Sequence, residues 1–417
     1  MNKPPAKPPK ALGHIRSGDL KALAQLATQA TVNISHMVEG VHQSVWRTLG
    51  APSGTTRAHA RGLTGMVYRS VRGITELVAK GLDLSLGRLQ PVLAPWLDAA
   101  PESQQREAVL AALNGVMGDH LVARGNALAT PMALRWNGQR LDWASPPLAS
   151  QVQGKVLVLA HGLCMNDLQW HSTANGVTHD HGQAIAQALG YTPVYLRYNT
   201  GLHTSENGAA LHAALTELVQ HWPVPVQEIS MVLHSMGGLV ARSAVHFASS
   251  QALSWTPYLK KMVFLGTPHH GAPLERAGNW VDLILEKAPY AKPFAKLGQL
   301  RSAGITDLRH GNVLREDWEG MNRFQHRHDL RQGLPLPHGI ACYAIAGTLT
   351  QAKNLRAGTW RGDGLVPVDS ALGRHKDVRL ALQFAKDRQW VSHSTNHMQL
   401  LSSSHVTSKI QEWLTEP

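Results

Sequence analysis

Three residues of this 417-residue sequence have the types and the order needed for acyl transfer by a serine nucleophile. Ser235 lies in LHSMGG, between a predicted strand and a predicted helix, where a sharp turn would lift its hydroxyl out of the sheet. Asp363 lies between two glycines in GDGLVP, and His397 follows in NHMQLL. A carboxylate that orients a histidine, which in turn takes the serine proton, activates the hydroxyl for attack on a carbonyl. We therefore expect Ser235, Asp363 and His397 to form a catalytic triad.

Two of these roles have rivals in the sequence. Asp369 lies close behind Asp363, but the GDG segment better fits a tight loop at the end of a strand. His393 and His405 flank His397, which is directly ahead of an apolar turn that could hold it in place. We favour Asp363 and His397.

A second segment, HGLCMND, follows the apolar run at 156–160 and could present backbone N–H groups to the nucleophile. The N–H groups of Leu163 and Met236 are predicted to form an oxyanion hole, which stabilises negative charge on the substrate oxygen. His161 and Gly162, at the start of this segment, are predicted to line the substrate site.

Polar residues of the segment RYNTGLHTSENG are further candidates for substrate contact. Arg197, Asn199 and His203 could touch a polar head group, although a solvated loop is an alternative for each. The HDH triplet at 179–181 could contribute to a zinc site, yet no HExxH or cysteine-rich spacing accompanies it. We therefore predict neither a metal nor a cofactor.

The elements that must position these residues are predicted from hydrophobic patterning. Apolar runs without strict alternation, separated by helical stretches, favour buried parallel strands. They occur at 156–160, 193–198, 229–233, 262–265 and 340–346, with a weaker run at 388–391. Asn137-Gly138, between two alternating segments, predicts a two-residue β-hairpin. An antiparallel hairpin leading into a mainly parallel sheet is an α/β architecture.

The remaining sequence divides into an N-terminal region and an insertion. Residues 1–15 form a Pro/Lys-rich tail that is expected to be disordered, and an all-helical arm is predicted over 16–125. Its apolar stripes run over 17–49, 62–93 and 102–122. The α/β domain is predicted over 130–417, interrupted at about 274–337 by charged, partly helical sequence. That insertion is predicted to be a helical cap or lid over the site, with a plain surface insertion as the alternative.

The motifs together resemble the lipase-like branch of the α/β-hydrolase superfamily, which includes bacterial triacylglycerol lipases and GPI-inositol-deacylase-like proteins. The matching segments are VLVLAHGL (156–163), LHSMGG (233–238), LGTPHHGAP (265–273), GDGLVP (362–367) and NHMQLL (396–401). The resemblance implies an eight-stranded, mainly parallel sheet with flanking helices and a Ser235–His397–Asp363 triad acting on carboxylic esters. The order Ser, Asp, His agrees with that fold. One departure is Leu233, which replaces the first glycine of G-x-S-x-G and could crowd the turn.

The predicted function is that of a serine carboxylic-ester hydrolase, of lipase or esterase type. A thioesterase, an acyltransferase or a polyester depolymerase would use the same triad, and a weakly active hydrolase fold that binds lipids or partners is a further alternative. An ester or lipid is the expected substrate.

The charge of the chain bears on its partners and location. The formal net charge is +12, and residues 1–100 hold twelve Lys or Arg against five Asp or Glu, a net of +7. No nucleic-acid-binding motif accompanies this excess, so no nucleic acid is expected. Peripheral contact with an anionic membrane is an alternative to a merely solvated basic surface. Two cysteines, no apolar stretch of membrane-spanning length and no secretory signal predict a cytoplasmic protein, with membrane association left open.

Overall fold

The structure, a computed structural model, describes residues 104–174, 177–249, 255–272, 302–321, 329, 331–351 and 362–416. The predicted tail, the first two stretches of the predicted arm and most of the predicted lid lie outside these residues. By internal contacts the chain divides into two units, Met1–Arg106 with Gly125–Leu128, and Glu107–Arg124 with Ala129–Pro417. The second unit contains the sheet and every candidate site residue. It begins earlier than the predicted boundary at 130, because it includes residues 107–124 of the third predicted helix.

An eight-stranded sheet, as the resemblance implied, forms the centre of this unit. The strands of the described chain are β1 (Ala133–Trp136), β2 (Gln139–Arg140), β3 (Lys155–Ala160), β4 (Ser172–Ala174), β5 (Val177–His179), β6 (Thr192–Arg197), β7 (Glu228–His234), β8 (Leu259–Leu265), β9 (Ala341–Thr348) and β10 (Gln389–His393). Their order in the large sheet is β10-β9-β8-β7-β3-β6-β1-β2. Only β1 pairs antiparallel to its neighbours β2 and β6, and the other pairs are parallel. The predicted α/β architecture is confirmed.

The predicted hairpin is present at the edge of this sheet. Asn137 and Gly138 both have positive φ, 48° and 73°, which the type I′ turn of a two-residue hairpin requires. A feature that the sequence analysis missed is a separate two-stranded sheet of β4 and β5.

Helices cover both faces of the large sheet. The described helices are α1 (Gln104–Ala123), α2 (His181–Leu189), α3 (Thr204–His221), α4 (Met236–Ser249), α5 (Ala303–His310), α6 (Val368–Ala371) and α7 (Ser404–Thr415). Apolar residues of α1, α3, α4, α5 and α6 share one core cluster with the sheet, and those of α2 and α7 share a second. Because successive strand residues point to opposite faces, Leu233 belongs to the first cluster and its neighbour Val232 to the second.

The described part of the predicted lid contains one helix, α5. Residues 316–320, also within the predicted lid, form turns. No helix of the described residues is both long enough and apolar enough to cross a bilayer.

Leu233 occupies the position where the resemblance expects glycine, and the structure packs it well. Its side chain is fully buried, in a strand whose register places it beside Ala160 and Phe264. Leu233→Ala would leave a cavity, and we expect the free energy of unfolding to fall by about 2–5 kcal/mol in urea denaturation. Leu148→Ala, at a leucine 66% exposed, is the control and should cost under about 0.5 kcal/mol. Equal stabilities of the two variants would contradict this packing.

His181 joins α2 to the C-terminal part of the chain. Its Nε2–H donates to the carbonyl of Leu400 at 2.9 Å, and Nδ1 accepts from the Thr407 hydroxyl at 2.8 Å. Burial lowers the pKa of His181 from 6.5 to about 4, only partly opposed by the bond to Leu400. Between these values the unfolded chain therefore binds more protons than the folded chain. The stability from His181 is present above pH 6.5 and is lost as the pH falls towards 4.

This linkage predicts the effect of removing the imidazole. The loss of unfolding free energy between pH 7.5 and pH 4.5 should be smaller in His181→Gln than in the unchanged protein, by about 2–3 kcal/mol. Urea denaturation at the two pH values measures it. His405→Gln, at an exposed position on α7, should leave the pH dependence unchanged. An unaltered dependence in His181→Gln would show that burial does not depress this pKa.

Candidate functional site

Ser235 lies at the sharp turn between β7 and α4, as the sequence predicted. Its φ is 55°, in the left-handed region that non-glycine residues rarely adopt. Two backbone bonds hold the turn: the Ser235 N–H donates to the carbonyl of Leu265 at 2.9 Å, and its carbonyl accepts from Gly238 N–H at 3.1 Å. The residue is 1% exposed, and Oγ has no hydrogen-bond partner among the described residues. A buried hydroxyl held in this way is ready to engage another group.

Asp363 and His397 are brought together, as predicted, although 34 positions separate them. Asp363 Oδ2 accepts from His397 Nδ1 at 2.7 Å, and its carbonyl accepts from His397 N–H at 3.1 Å. The other carboxylate oxygen accepts from the N–H groups of Leu365 and Val366 at 3.0 and 2.8 Å. Because the carboxylate has these partners, it is fixed in place and directs Nδ1–H of the imidazole. Nε2 is then the basic nitrogen of His397.

Gly266 connects this pair to the serine turn. It directly follows Leu265, whose carbonyl accepts from Ser235 N–H, and its φ is 56°. A Cβ on Gly266 would lie 3.1 Å from Asp363 Oδ2 and 3.1 Å from His397 Nδ1. A side chain here would thus push the acid and base away. The segment LGTPHHGAP was part of the family resemblance, but no role was predicted for this glycine. Its position at the end of a central strand could have indicated one.

The segment predicted to supply the oxyanion hole lies against Ser235. A Cβ on Gly162 would come within 2.9 Å of the serine Cβ, so the backbone at residue 162 contacts the nucleophile. Leu163 follows it and is buried, and Met236, also buried, is the first residue of α4. Leu163 thus directly follows a residue that packs against Ser235, Met236 directly follows Ser235, and the N-terminus of α4 adds a positive dipole end there.

His161 is buried behind this segment and is held by the protein itself. Its Nδ1 contacts the Gly162 carbonyl at 2.9 Å, and its ring stacks on Tyr198 with centroids 4.4 Å apart. The Tyr198 hydroxyl donates to the His161 carbonyl at 2.8 Å. Burial lowers the pKa of His161 to about 4, so the ring is neutral at pH 7. The surroundings of this side chain favour support of the loop over direct contact with a substrate.

Arg197 was predicted to contact a polar head group, but in the structure it pairs with acidic side chains of the protein. Its guanidinium is buried and pairs with Glu107 at 2.8 Å and with Asp167. Asp167 also pairs with Arg135 at 3.0 Å, which makes a buried network of two cations and two anions. Asn199 is likewise engaged: its amide donates to the Gly118 carbonyl and accepts from Gly201 N–H. The side chains of Arg197 and Asn199 thus bond to other segments of the chain.

His203 also contacts protein groups. Its Nδ1 lies 3.0 Å from Asp307 Oδ2 in α5, and its ring stacks on Trp318 with centroids 3.6 Å apart. His203 was predicted to touch a polar head group because it lies in a polar segment. The long-range partners on residues 307 and 318 could not be read from local sequence.

The rivals for the acid and base roles lie elsewhere. Asp369 is exposed on α6 and contacts Arg374 at 3.4 Å. His405 is exposed on α7, and His393 is the last residue of β10. These placements favour Asp363 and His397. His234, directly before Ser235, was not among the predicted site residues, and its Nε2–H donates to the carbonyl of His397 at 3.1 Å.

Comparisons with known proteins agree with this architecture. The family model described as "PGAP1-like alpha/beta domain" matches residues 151–334. A search of curated protein sequences gave no significant match.

Solved structures that resemble the chain include lipases and an esterase. The mature lipase of Bacillus licheniformis has 18% identity and a TM-score of 0.40, with 68% of this chain and 98% of that chain covered. Lipase B of Aspergillus fumigatus has 9% identity and a TM-score of 0.40, over 68% and 56%. An esterase of Pyrococcus furiosus has 15% identity and a TM-score of 0.35, over 63% and 81%.

Three findings agree on the fold. They are the sheet order, the strand-to-helix turn at Ser235 and the matching family model. The chain has the α/β-hydrolase fold, and its residues 151–334 match a lipase-like family of that fold, the PGAP1-like α/β domain.

Proposed function

We propose that the protein is a serine carboxylic-ester hydrolase of lipase or esterase type. The observation that carries this proposal is the buried His397–Asp363 pair, with Nδ1 and Oδ2 2.7 Å apart, next to a serine in a left-handed strand-to-helix turn. Gly266 contacts the pair on one side, and the preceding Leu265 holds the serine backbone on the other. A nucleophile, a base and an orienting acid are thus gathered at the carboxyl ends of the central strands, where ligands of α/β folds bind.

The proposed reaction uses only groups of the chain and water. Ser235 Oγ attacks the ester carbonyl while His397 Nε2 takes its proton, and Asp363 stabilises the resulting imidazolium. The N–H groups of Leu163 and Met236 would bind the oxyanion, each contributing about 3–4 kcal/mol to lowering the barrier. His397 then gives its proton to the leaving alcohol, and water hydrolyses the acyl-enzyme by the same route in reverse. The packing of Leu233 removes the main sequence-based objection to a working turn.

Substitution of the nucleophile tests this mechanism. Ser235→Ala should fold and lose ester hydrolysis by at least about 10³-fold, because no covalent route remains. It should also lose covalent labelling by a fluorophosphonate probe, read by intact mass. Ser243→Ala, at another buried serine in α4, should label and hydrolyse normally. Full activity in folded Ser235→Ala would refute the proposed nucleophile.

The acid has a matched control within the same loop region. Asp363→Asn should reduce kcat by about 10⁴-fold, because an amide would favour the wrong histidine tautomer. Asp369→Asn should leave kcat within about twofold, since that carboxylate is exposed on α6. Steady-state rates on a short-chain ester, with circular dichroism as the fold check, separate the two. The reverse pattern would transfer the acid role to Asp369.

Thioesters and acyl-acceptor alcohols in the same assay would reveal a thioesterase or an acyltransferase instead.

We further propose that the protein is cytoplasmic, which its two free cysteines favour, and that it contacts anionic membranes peripherally, because residues 1–100 carry a net charge of +7. The full chain should co-sediment with vesicles containing phosphatidylserine at low salt and be released by about 0.5 M NaCl, where the Debye length falls below about 5 Å. Pure phosphatidylcholine vesicles are the control. No sedimentation with anionic vesicles at low salt would rule out this contact.

A further inference from the structure

His234 lies immediately before the candidate nucleophile and reaches the loop that carries the candidate base. Its side chain is fully buried, and Nε2 lies 3.1 Å from the carbonyl oxygen of His397. The two imidazole rings are 4.6 Å apart between centroids and inclined by 46°. A residue fixed to Ser235 by one peptide bond is thus also bonded to the backbone of His397, 163 positions away.

The protonation state of His234 follows from its surroundings. Burial, together with the nearby His397, holds its pKa well below the usual value of 6.5, so the ring is neutral at pH 7. A carbonyl oxygen can only accept, so the single ring hydrogen must be on Nε2. Nδ1 then carries a lone pair, and among the described residues it has no hydrogen-bond partner. The ring therefore acts as a donor towards the His397 carbonyl alone.

The other side of the ring contacts the predicted oxyanion segment. A Cβ on Gly162 would lie 3.1 Å from His234 Nδ1, and Trp170 packs edge-on with ring centroids 6.5 Å away. The imidazole thus lies beside the Gly162 segment and Trp170, and its hydrogen bond to the His397 carbonyl gives it a defined direction.

An imidazole is an energetically unfavourable side chain at a fully buried position unless its nitrogens form hydrogen bonds. A fully buried polar nitrogen without a partner costs about 1–3 kcal/mol, and an apolar side chain of similar size would avoid this. The bond to the His397 carbonyl is what the imidazole supplies and an apolar residue would not. It complements the bond from His397 N–H to the Asp363 carbonyl, so that both backbone polar groups of His397 are held.

We propose that His234 is a positioning residue, which fixes the backbone of His397 and thereby aims its imidazole at Ser235. This inference rests on the proposed function, since it assigns His397 the role of base. Because the proposed role acts through the backbone of His397, its loss should lower the rate of proton transfer and leave substrate binding unchanged. A small displacement of a reacting group costs up to about 10²-fold in rate.

The test compares two replacements of nearly equal length and shape. His234→Gln keeps an N–H donor that can reach the His397 carbonyl, whereas His234→Met has none. We expect kcat on a short-chain ester to be about 10- to 100-fold lower in His234→Met than in His234→Gln, with KM within about twofold. Fluorophosphonate labelling of Ser235 should slow in parallel. Melting temperatures and near-ultraviolet circular dichroism establish that both variants are folded.

Controls separate this inference from a general loss of packing. His212 is a buried histidine on α3 that accepts from Trp255 Nε1 at 3.2 Å, away from the candidate triad. His212→Gln and His212→Met should have equal kcat. If His234→Met does not fold, His234→Phe, which fills the ring volume without a donor, takes its place in the comparison.

The outcomes are distinct. Equal kcat in the His234 donor and non-donor variants would overturn the positioning role. Full activity in Ser235→Ala would instead overturn the proposed function itself. Loss of ester hydrolysis in Ser235→Ala would support the proposed function. A kcat that is low in His234→Met and higher in His234→Gln, with KM unchanged in both, would support the positioning role.

Discussion

The left-handed backbone at Ser235 is the constraint on which the rest of the site depends. A non-glycine residue in this conformation costs about 1–2 kcal/mol, so the turn persists only because its neighbours hold it. The Ser235 N–H bonds to the end of β8, and Gly162 at the end of β3 packs against its Cβ. Three adjacent strands thus end around one side chain. The order β8-β7-β3 at the centre of the sheet is what makes this convergence possible.

A buried ion network supports the same end of the sheet. Arg197 at the end of β6 pairs with Asp167 and with Glu107 of α1, and Asp167 also pairs with Arg135 of β1. Removal of one member of such a network leaves an uncompensated buried charge and costs about 3–5 kcal/mol. Asp167 lies four positions after Leu163, so the network holds the chain close to the candidate oxyanion segment. Helix α1 from Glu107 onward is therefore an integral part of the unit.

The sequence was most informative where the physics is local. Apolar runs identified the central strands, because strands buried on both faces need continuous apolar sequence. Asn137-Gly138 predicted the hairpin, because the I′ turn needs positive φ at both positions. Ser235, Asp363 and His397 could be chosen as candidates because each comes after a recognisable strand, but their catalytic roles stay predictions.

Side-chain partners distant in sequence could not be predicted in the same way. Arg197 and His203 look like solvent-facing loop residues until Glu107 and Asp307, about a hundred positions away in either direction, are placed beside them. The contact of His234 with the His397 carbonyl spans 163 positions and leaves no local pattern. The role of Gly266 could not be predicted either. A side chain is excluded there only because Asp363 and His397, which are distant in sequence, pack against it.

The strand order has a consequence for how the site is acquired during folding. The candidate acid and base come from residues 363 and 397, and the chain just after His397 is held by the bond from His181 of α2 to Leu400 and by the core that α2 shares with α7. Such parallel, long-range pairings form late and slowly, because the closure of long loops precedes the contacts that stabilise them. During synthesis the candidate nucleophile and the candidate oxyanion segment are made well before the candidate base. Under the proposed function, a chain whose last described strand and helix have not formed should not hydrolyse esters, and recovery of activity on refolding would report the completion of the fold more strictly than recovery of secondary structure.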